Sequence, residues 1–406
     1  MNCRGCGAKL SLTLLDLGLS PIANNFIESN LEDEAVQNYA LKVMTCKKCA
    51  LAQLSEVISK GKLFPKSYLY YSSYSTSWLA HCKKYAEHII TFLDLTKDDF
   101  VIELASNDGY LLQFFMGLGI EILGIEPAEG VAAVAKRKNI PTLVDFFGKD
   151  VAKNLEKKRK PRLIIGNNVL AHVPDIHDFI EGLEILLDDE GIITLEFPHI
   201  VNLIRFNQFD TIYHEHFSYL SLSALNPIFT KYNLKVFKVE KLETHGGSVR
   251  IYLAKLLSKW EITRSVENTF EEESHFDPRS PEVYKGLQEK VLQVKNSLIS
   301  ELQTLKNNGY KIAAYGAAAK GVTLLNYCAI NSDIIEYVVD RNPHKHGMLL
   351  PGSHIRVVGI EELTQEVPDV VLVLPWNLSN EIKHYFQSEL SINPRLLRAI
   401  PSVKYF

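Results

Sequence analysis

Short apolar segments alternate with longer amphipathic ones through the middle of the chain. Segments 100–104, 120–125, 162–165 and 192–197 are rich in Val, Ile, Leu and Phe, and turns and stretches with helical spacing of apolar residues separate them. This pattern predicts strands alternating with helices, which form βαβ units on a parallel sheet. We therefore expect an α/β domain over residues 85–255, with 192–197 as its last central strand.

A second alternation of the same kind begins near residue 311. Segments 311–315, 334–339 and 370–374 have the composition of strands, and a small-residue turn over 316–321 leads into a helix that starts at Val322. The chain is therefore predicted to contain two nucleotide-type α/β folds in tandem.

A long amphipathic connector is predicted between the two α/β folds. Segment 262–308 is rich in Glu and Lys, and its apolar residues recur at helical spacing: Leu287, Val291, Val294, Leu298 and Leu302. The first 65 residues differ, because turn-forming residues and cysteines interrupt short apolar segments, which predicts a small, loop-rich unit organised by metal. We divide the chain into a small domain (1–66), a central α/β domain (67–260) and a C-terminal α/β domain (261–406).

Composition limits the function classes. The 406 residues include 44 basic and 48 acidic side chains, so a formal charge of -4 offers no general attraction to nucleic acid or anionic lipid. No apolar run approaches the roughly 20 residues that a membrane-spanning helix needs, and the N-terminus does not resemble a signal peptide. We expect a cytoplasmic protein without nucleic-acid or membrane partners.

Four of the six cysteines form two C-x-x-C pairs. Cys3 and Cys6 make the first pair, and Cys46 and Cys49 make the second. Four thiolates at this spacing suit a tetrahedral Zn²⁺, and they leave no coordination position for a water molecule. We therefore predict one structural zinc ion. The alternative is two unrelated redox or chance pairs.

A candidate cofactor site follows the strand at 100–104. Glu103 lies near the end of that strand, just before a turn of small and polar residues that includes Ala105, Asn107 and Gly109, and Glu126 follows the next strand. Backbone amides at such a turn can approach a ligand, and an acid at the second strand end can hold ribose hydroxyls. S-adenosylmethionine (SAM) fits better than NAD, because the G-x-G start of a dinucleotide fingerprint is missing. An ordinary turn with two exposed acids is the alternative.

A dense group of reactive side chains follows the segment 192–197. Residues 213–217 read Tyr-His-Glu-His-Phe, and residues 167–172, just past another strand, read Asn-Asn-Val-Leu-Ala-His. Histidine is a suitable base for a proton next to a carbonyl, and a neighbouring carboxylate can fix its tautomer. In an extended segment, His214 and His216 share one face, whereas a turn breaks that rule. A metal site or a hydrogen-bonded surface cluster is the alternative.

Two further segments are candidates for substrate binding. The aromatic and hydroxyl side chains of segment 68–78, which includes Tyr68, Tyr70 and Ser72, suit either a sugar pocket or a linker packed on the surface. The turn from Gly316 to Gly321 contains Lys320, which supplies positive charge for a diphosphate, and Arg341 follows the next predicted strand. The turn lacks the Ser or Thr of a Walker A loop, and a simple strand–helix turn is its alternative.

Several motifs occur together in a fixed order. The chain resembles sugar C-methyltransferases that act at C3 of dTDP-linked 4-keto-deoxysugars. The resemblance covers nearly the whole length and is carried by the paired cysteines and by E-L-A-S-N-D-G, N-N-V-L-A-H-V-P-D, Y-H-E-H-F-S-Y, G-G-S, Y-G-A-A-A-K-G and L-P-W-N. One departure is Ala105, where many relatives carry Gly.

The resemblance implies a zinc-binding domain, a SAM-dependent methyltransferase domain and a Rossmann-like C-terminal domain that helps hold the sugar nucleotide. It implies that His216 is the general base, and that Tyr213, Glu215 and His172 orient the sugar or stabilise the enolate. We assign the remaining candidates to the cofactor (Glu103, Ala105, Asn107, Gly109, Glu126 and Asn167) and to the substrate (Asn168, Tyr70, Ser72, Lys320, Gly316 and Arg341).

Two other functions stay open on the sequence. A nicotinamide-dependent nucleotide-sugar oxidoreductase would use one of the two α/β domains, and a zinc-organised interaction module would use neither. The expected partner is a nucleotide-linked keto-sugar, with dTDP as carrier, and the expected state is a monomer or a small homo-oligomer.

Overall fold

The computed structural model of the chain describes residues 1–29, 36–63 and 70–406. Tyr68 and the predicted domain boundary between residues 66 and 67 lie outside the described residues. Among the described residues, no helix has the length and apolar character needed to cross a membrane.

The N-terminal unit contains an antiparallel sheet. Its strands are Leu12–Pro21 (β1), Asn38–Thr45 (β3) and Ala52–Leu54 (β4). The prediction of a loop-rich unit was therefore wrong over these residues. Burial alternates along β3, as in a half-buried strand, whereas register irregularities in β1 interrupt that alternation and hide the strand in the sequence. The fourth strand, Ser218–Tyr219 (β10), comes from far along the chain and pairs with β4. A two-residue strand, Ile27–Glu28 (β2), and a short helix, Lys60–Leu63 (α1), complete the unit.

The central domain is built on a seven-stranded sheet of order β11-β12-β9-β8-β5-β6-β7. In chain order its strands are Phe100–Leu104 (β5), Glu121–Ile125 (β6), Thr142–Leu143 (β7), Leu163–Asn167 (β8), Ile192–Pro198 (β9), Leu234–Leu242 (β11) and Ser248–Lys255 (β12). Strands β5 to β9 are parallel and largely buried, which explains their nearly continuous apolar sequences. The segment 192–197 is not the last strand of the sheet, because β12 pairs antiparallel with β9 and β11 with β12.

Helices cover this sheet: Thr76–Leu93 (α2), Gln113–Met116 (α3), Glu129–Arg137 (α4), Lys149–Glu156 (α5), Ile176–Leu186 (α6) and Leu222–Lys231 (α8). Ile200–Arg205 (α7) instead packs into a core that it shares with β1. Local capping fixes the starts of several helices. The Asp175 side chain accepts hydrogen bonds from the first amides of α6, and Ser221 does the same for α8. Chain order reverses between β5 and β8, so the carboxyl ends of these strands form the crevice where open α/β sheets bind ligands.

The predicted connector consists of two helices, Arg264–Ser274 (α9) and Pro281–Asn307 (α10). Proline at the first position of α10 suits a helix start. The predicted apolar stripe is confirmed, since all five of its residues are buried on α10. They lie in one core that also includes residues of β1 and of the C-terminal sheet, so α10 joins the first and third domains.

The C-terminal domain has a six-stranded sheet of order β16-β14-β13-β17-β18-β19. Its strands are Ile312–Tyr315 (β13), Val338–Val339 (β14), Val357–Val358 (β16), Val370–Val373 (β17), Arg395–Arg398 (β18) and Lys404–Tyr405 (β19). Its helices are Ala319–Tyr327 (α11), Glu361–Gln365 (α12) and Ser379–Ser388 (α13). The predicted strand at 334–339 is shorter, because only Val338 and Val339 pair with neighbouring strands and a turn ends at Ile334. Met348–Leu349 (β15) pairs with β2 and thereby links this domain to the N-terminal unit.

Candidate active site and zinc site

The four paired cysteines meet in space. The sulfur atoms of Cys3 and Cys49 are 3.5 Å apart, as are those of Cys6 and Cys46, and all four lie within 4.8 Å of one another. Tetrahedral Zn–S bonds of about 2.3 Å place sulfur atoms about 3.8 Å apart, so the tetrad fits one zinc ion.

Each cysteine pair lies on a tight turn. Gly7 and Ala50 directly follow the second cysteine of each pair, and both have left-handed backbone conformations, with φ of 74° and 63°. Their amides donate 2.9 Å hydrogen bonds to the carbonyls of Cys3 and Cys46. The two turns therefore point both thiols of each pair toward a common centre.

The predicted cofactor turn lies at the carboxyl end of β5. Ala105, Asn107 and Gly109 have left-handed φ angles of 53°, 48° and 78°. A Cβ atom on Gly109 would lie 2.3 Å from Ile140, so this position requires glycine. Ala105 adopts the same region with a methyl group, which is conformationally strained. The turn is therefore folded tightly enough for its backbone to face a ligand.

Two acids flank this turn in different ways. Glu103 is fully buried, its carboxylate oxygens have the Tyr110 hydroxyl nearby but no hydrogen-bond partner at normal geometry within the described residues, and burial raises its pKa well above the usual range. Glu126 accepts hydrogen bonds from the amides of Asn107 (2.9 Å) and Ala128 (2.8 Å), and burial still raises its pKa to about 7. The side chain of Asn167, at the end of β8, is also buried without a partner in the described structure. Unsatisfied buried groups at a strand edge are what a polar ligand would complete.

Tyr70 and Ser72 lie against the cofactor turn. The side chain of Asn107 donates to the Tyr70 carbonyl (3.1 Å) and accepts from the Ser72 amide (2.9 Å). Segment 70–78 also reaches the C-terminal domain, where the ring of Tyr71 lies 5.3 Å from that of His344. The segment thus bridges two domains beside the cofactor edge, whereas both residues were assigned to the substrate.

Residues 211–217, which we call the histidine loop, contain a turn and not an extended strand. The amide of His216 donates to the carbonyl of Tyr213 at 3.0 Å, which closes the turn. The turn brings Tyr213 and His216 to one side and directs His214 and Glu215 toward the N-terminal unit. There the His214 ring meets Tyr39 edge-on at 5.8 Å, and Glu215 accepts from the Asn24 side chain at 2.9 Å.

Hydrogen bonds define the tautomer of His216. Its Nδ1 is 2.9 Å from the carbonyl oxygen of Thr211, which can only accept, so Nδ1 carries the hydrogen. Nε2 therefore has a lone pair, and the hydroxyl of Tyr213 donates to it at 2.8 Å. Burial holds the pKa of His216 well below its usual value. The ring is thus a neutral imidazole whose Nε2 accepts a proton.

Two more histidines surround this pair. The ring of His172 meets that of His216 edge-on at 4.7 Å, and the side-chain amide of Asn168 donates to Nε2 of His245 at 3.0 Å. Burial lowers the pKa of both His172 and His245 to about 4, so both imidazoles are neutral at pH 7.

The C-terminal domain completes the site. The indole of Trp376 donates to the buried carboxylate of Asp210 at 2.7 Å, and Lys320 lies 4.8 Å above the indole ring and donates to Asn377 at 2.7 Å. The charge of Lys320 helps lower the pKa of His216. Lys320 is therefore close to the histidines, although the sequence suggested only a diphosphate as its partner.

The other two predicted substrate-binding residues of the C-terminal domain, Gly316 and Arg341, contact neighbouring residues of that domain. A Cβ atom on Gly316 would lie 2.5 Å from Pro375, so the space beside the turn is occupied by the L-P-W-N segment. The guanidinium of the exposed Arg341 lies 3.9 Å from the ring centre of Tyr385. Neither contact includes a residue of the histidine loop.

Comparisons with known proteins identify each domain. A family model described as "Putative zinc binding domain" matches residues 3–64, a "Methyltransferase domain" model matches 78–239, and a "C-methyltransferase C-terminal domain" model matches 243–401. C-methyltransferase NovU of Streptomyces niveus is 31% identical over 401 residues, which are 98% of this chain and 95% of NovU. The chain belongs to the C-methyltransferase family.

Two solved methyltransferase structures resemble part of this C-methyltransferase. Magnesium protoporphyrin IX methyltransferase of Synechocystis PCC 6803 with bound SAM is 14% identical, with a TM-score of 0.33 over 44% of this chain and 81% of that one. The CcbJ methyltransferase of Streptomyces caelestis is 11% identical, with a TM-score of 0.35 over 43% and 89%. At these scores neither match carries an argument about function.

The cofactors of this C-methyltransferase are SAM and one zinc ion. Family membership therefore favours methyl transfer over the nicotinamide-dependent oxidoreductase that the sequence left open. The buried, unpartnered carboxylate of Glu103 suits the ammonium group of SAM, and the cysteine tetrad suits Zn²⁺.

A buried ion-pair network supports the site and was missed from the sequence. Glu196 on β9 and Arg250 on β12 are register partners and form a 2.6 Å ion pair. Glu196 also accepts from His81 at 3.0 Å and from Thr244 at 2.8 Å, directly before His245. The sequence contains one signal for this ion pair. A charged residue lies inside each of two apolar strand sequences, and buried charges are normally paired.

Proposed function

We propose that the chain methylates C3 of a dTDP-linked 4-keto-deoxysugar, with His216 as the general base. The observation that carries this proposal is the neutral His216 imidazole, whose Nε2 lone pair lies beside the Tyr213 hydroxyl. Such a pair suits removal of a proton alpha to a ketone. The resemblance to sugar C-methyltransferases supplies the sugar, the C3 position and the nucleotide. A cytoplasmic location belongs to the same proposal.

Deprotonation requires that Nε2 accept the C3 proton. The C3–H electron pair then forms the enolate, with negative charge on the ketone oxygen. Tyr213 is displaced from Nε2 by the substrate and donates a hydrogen bond to that oxygen, while Glu215 holds the loop through Asn24 and His172 orients the sugar. Donors aimed at a developing oxyanion lower the barrier most when they are already in place.

Methyl transfer follows at the cofactor edge. When bound at the turn after β5, SAM would supply an electrophilic methyl group: the methyl–sulfur bond would break as C3 of the enolate forms the new C–C bond, S-adenosylhomocysteine would leave, and the ketone would be restored. Glu103, Glu126 and Asn167 hold the cofactor at this edge, together with the backbone of Ala105, Asn107 and Gly109. Asn168 next to His245, and Tyr70 and Ser72 next to Asn107, are proposed to limit the orientation of the sugar.

The C-terminal domain is proposed to hold the nucleotide. The turn at Gly316 precedes the N-terminus of α11, and Arg341 lies just after β14, the second strand of this sheet. Lys320 supplies positive charge for the diphosphate and the enolate, because it lies above the Trp376 ring and its charge acts on His216.

The test is mass spectrometry of products formed with SAM and dTDP-, GDP- and UDP-linked keto-sugars. We expect a dTDP-sugar product heavier by one methylene, and no such product from His216→Ala, which should still bind SAM in calorimetry. The matched control is His384→Ala, which removes an exposed histidine on α13. Methylation by His216→Ala at the control rate would refute the base assignment, and no methylated sugar from the wild type would refute the substrate class.

A further inference from the structure

One zinc-binding turn contacts the histidine loop directly. Arg4 lies between the ligands Cys3 and Cys6, and its Nη2 donates to the carbonyl oxygen of Phe217, the residue after His216. The same nitrogen lies 3.1 Å from the hydroxyl of Ser218. The guanidinium therefore binds the chain where it leaves the loop.

The second zinc-binding turn reaches the same point through a strand. Cys46 and Cys49 lead into β4, whose Leu54 amide also donates to the Phe217 carbonyl, at 3.0 Å. Gln53 on β4 is the register partner of Ser218 and accepts from the amide of Arg4 at 3.1 Å. Both halves of the cysteine tetrad thus converge on one carbonyl oxygen.

The other end of the loop is held independently. The Thr323 hydroxyl on α11 donates to the carbonyl of Ile212 at 2.9 Å, and Nδ1 of His216 donates to Thr211. These hydrogen bonds fix the His216 imidazole relative to the start of the histidine loop, and Arg4 fixes the end of that loop. A one-ångström misplacement of a reacting group can lower a rate by about 100-fold.

We propose that Arg4 is a positioning residue through which the zinc site sets the place of the histidine loop in the active site. The inference rests on the proposed role of His216. Through Arg4 the zinc site would contribute to catalysis by positioning the loop, whereas a zinc ion ligated by four thiolates has no coordination position open for substrate or water. A planar guanidinium suits this position because it reaches more than one acceptor in a fixed geometry.

The chain offers a matched control for Arg4. Lys47 follows Cys46 as Arg4 follows Cys3, but Lys47 is exposed to solvent. Arg4→Ala and Lys47→Ala remove the same charge at the same distance along the chain from a zinc ligand. Only the first removes the contact with Phe217.

The experiment uses the full, zinc-loaded chain of wild type, Arg4→Ala, Arg4→Lys and Lys47→Ala. Zinc content, SAM affinity by calorimetry, amide hydrogen exchange over 211–219, and kcat and KM are measured for each. We expect one zinc per chain and unchanged SAM affinity in all four. In Arg4→Ala, exchange should be faster by about tenfold or more, and kcat should fall by about 10- to 100-fold. Arg4→Lys should be intermediate, because a single ammonium keeps the charge but loses the fork geometry.

Two results would overturn the proposal. The first is exchange and kcat in Arg4→Ala equal to those of Lys47→Ala. The second is loss of zinc from Arg4→Ala, because Arg4 would then only build the metal site. If Arg4→Ala does not fold, Arg4→Lys decides by the same criteria. If wild type methylates no keto-sugar, the proposed function fails, while exchange over 211–219 still tests whether Arg4 positions the loop.

Discussion

The hydrogen bond between Trp376 and Asp210 joins the C-terminal domain to the residues that precede the histidine loop. Both side chains are buried, and the second carboxylate oxygen of Asp210 has no hydrogen-bond partner within the described residues. Trp376→Phe removes the indole donor and keeps an aromatic ring. An ionised Asp210 would then lose a hydrogen bond to a charged group, which costs about 2 kcal/mol.

The cost should depend on pH. Burial raises the pKa of Asp210 to about 6, above its value in the unfolded chain, so the fold loses stability as pH rises and the carboxylate ionises. Removing the indole donor raises this pKa further. At pH 8 the variant therefore carries the full penalty, whereas at pH 5 Asp210 is largely protonated in both proteins and the ionic part vanishes.

Thermal unfolding followed by circular dichroism at pH 5 and pH 8 measures the difference. A loss of about 2 kcal/mol corresponds to a drop in Tm of about 4 to 8 °C at pH 8, with a clearly smaller drop at pH 5. Trp260→Phe is the control, because the Trp260 indole nitrogen makes no hydrogen bond within the described structure. Equal losses at both pH values in Trp376→Phe would refute the reasoning.

Three further outcomes follow from the site geometry. Ala105→Gly should relieve the left-handed strain and raise the free energy of unfolding by at most about 1 kcal/mol, with SAM affinity in calorimetry unchanged. A free energy of unfolding lower than that of the wild type by more than about 1 kcal/mol would contradict the strain argument. Gly246→Ala should lower Tm and abolish turnover while zinc content stays at one per chain, because its Cβ would lie 2.3 Å from Trp376 and φ is 90°; a variant with wild-type turnover would show that the contact is dispensable. The acid limb of the kcat/KM profile should lie below pH 6.5, because burial lowers the pKa of His216; an acid limb of the wild type above pH 6.5 would contradict the lowered pKa.

Some features could be predicted because the responsible residues are close in sequence. The strand at 100–104 was predicted with the bounds that it has in the fold, since a fully buried parallel strand is a continuous apolar run. The cysteine pairs encode their own turns, and two such pairs are enough to indicate zinc. The turn after β5 was also recognisable, because small and polar residues suit its three left-handed positions at 105, 107 and 109.

The direction of each side chain in the histidine loop could not be predicted. Residues 213–217 fit both an extended strand and a turn, and these conformations place His214 and His216 differently. The turn is selected by distant partners, such as Thr323 on α11 and Asn24 in the N-terminal unit. Local periodicity carries no information about such partners.

The sequence by itself determined the zinc ligands, the two α/β folds and the residue types available for chemistry, because these depend on composition and short-range spacing. Only the tertiary structure decided which of these residues meet. Arg4 contacts Phe217 across 213 positions of the chain, and Trp376 contacts Asp210 across 166. Contacts at such separations arise when separate hydrophobic cores pack together, so they follow from the shape of whole domains and not from any one segment.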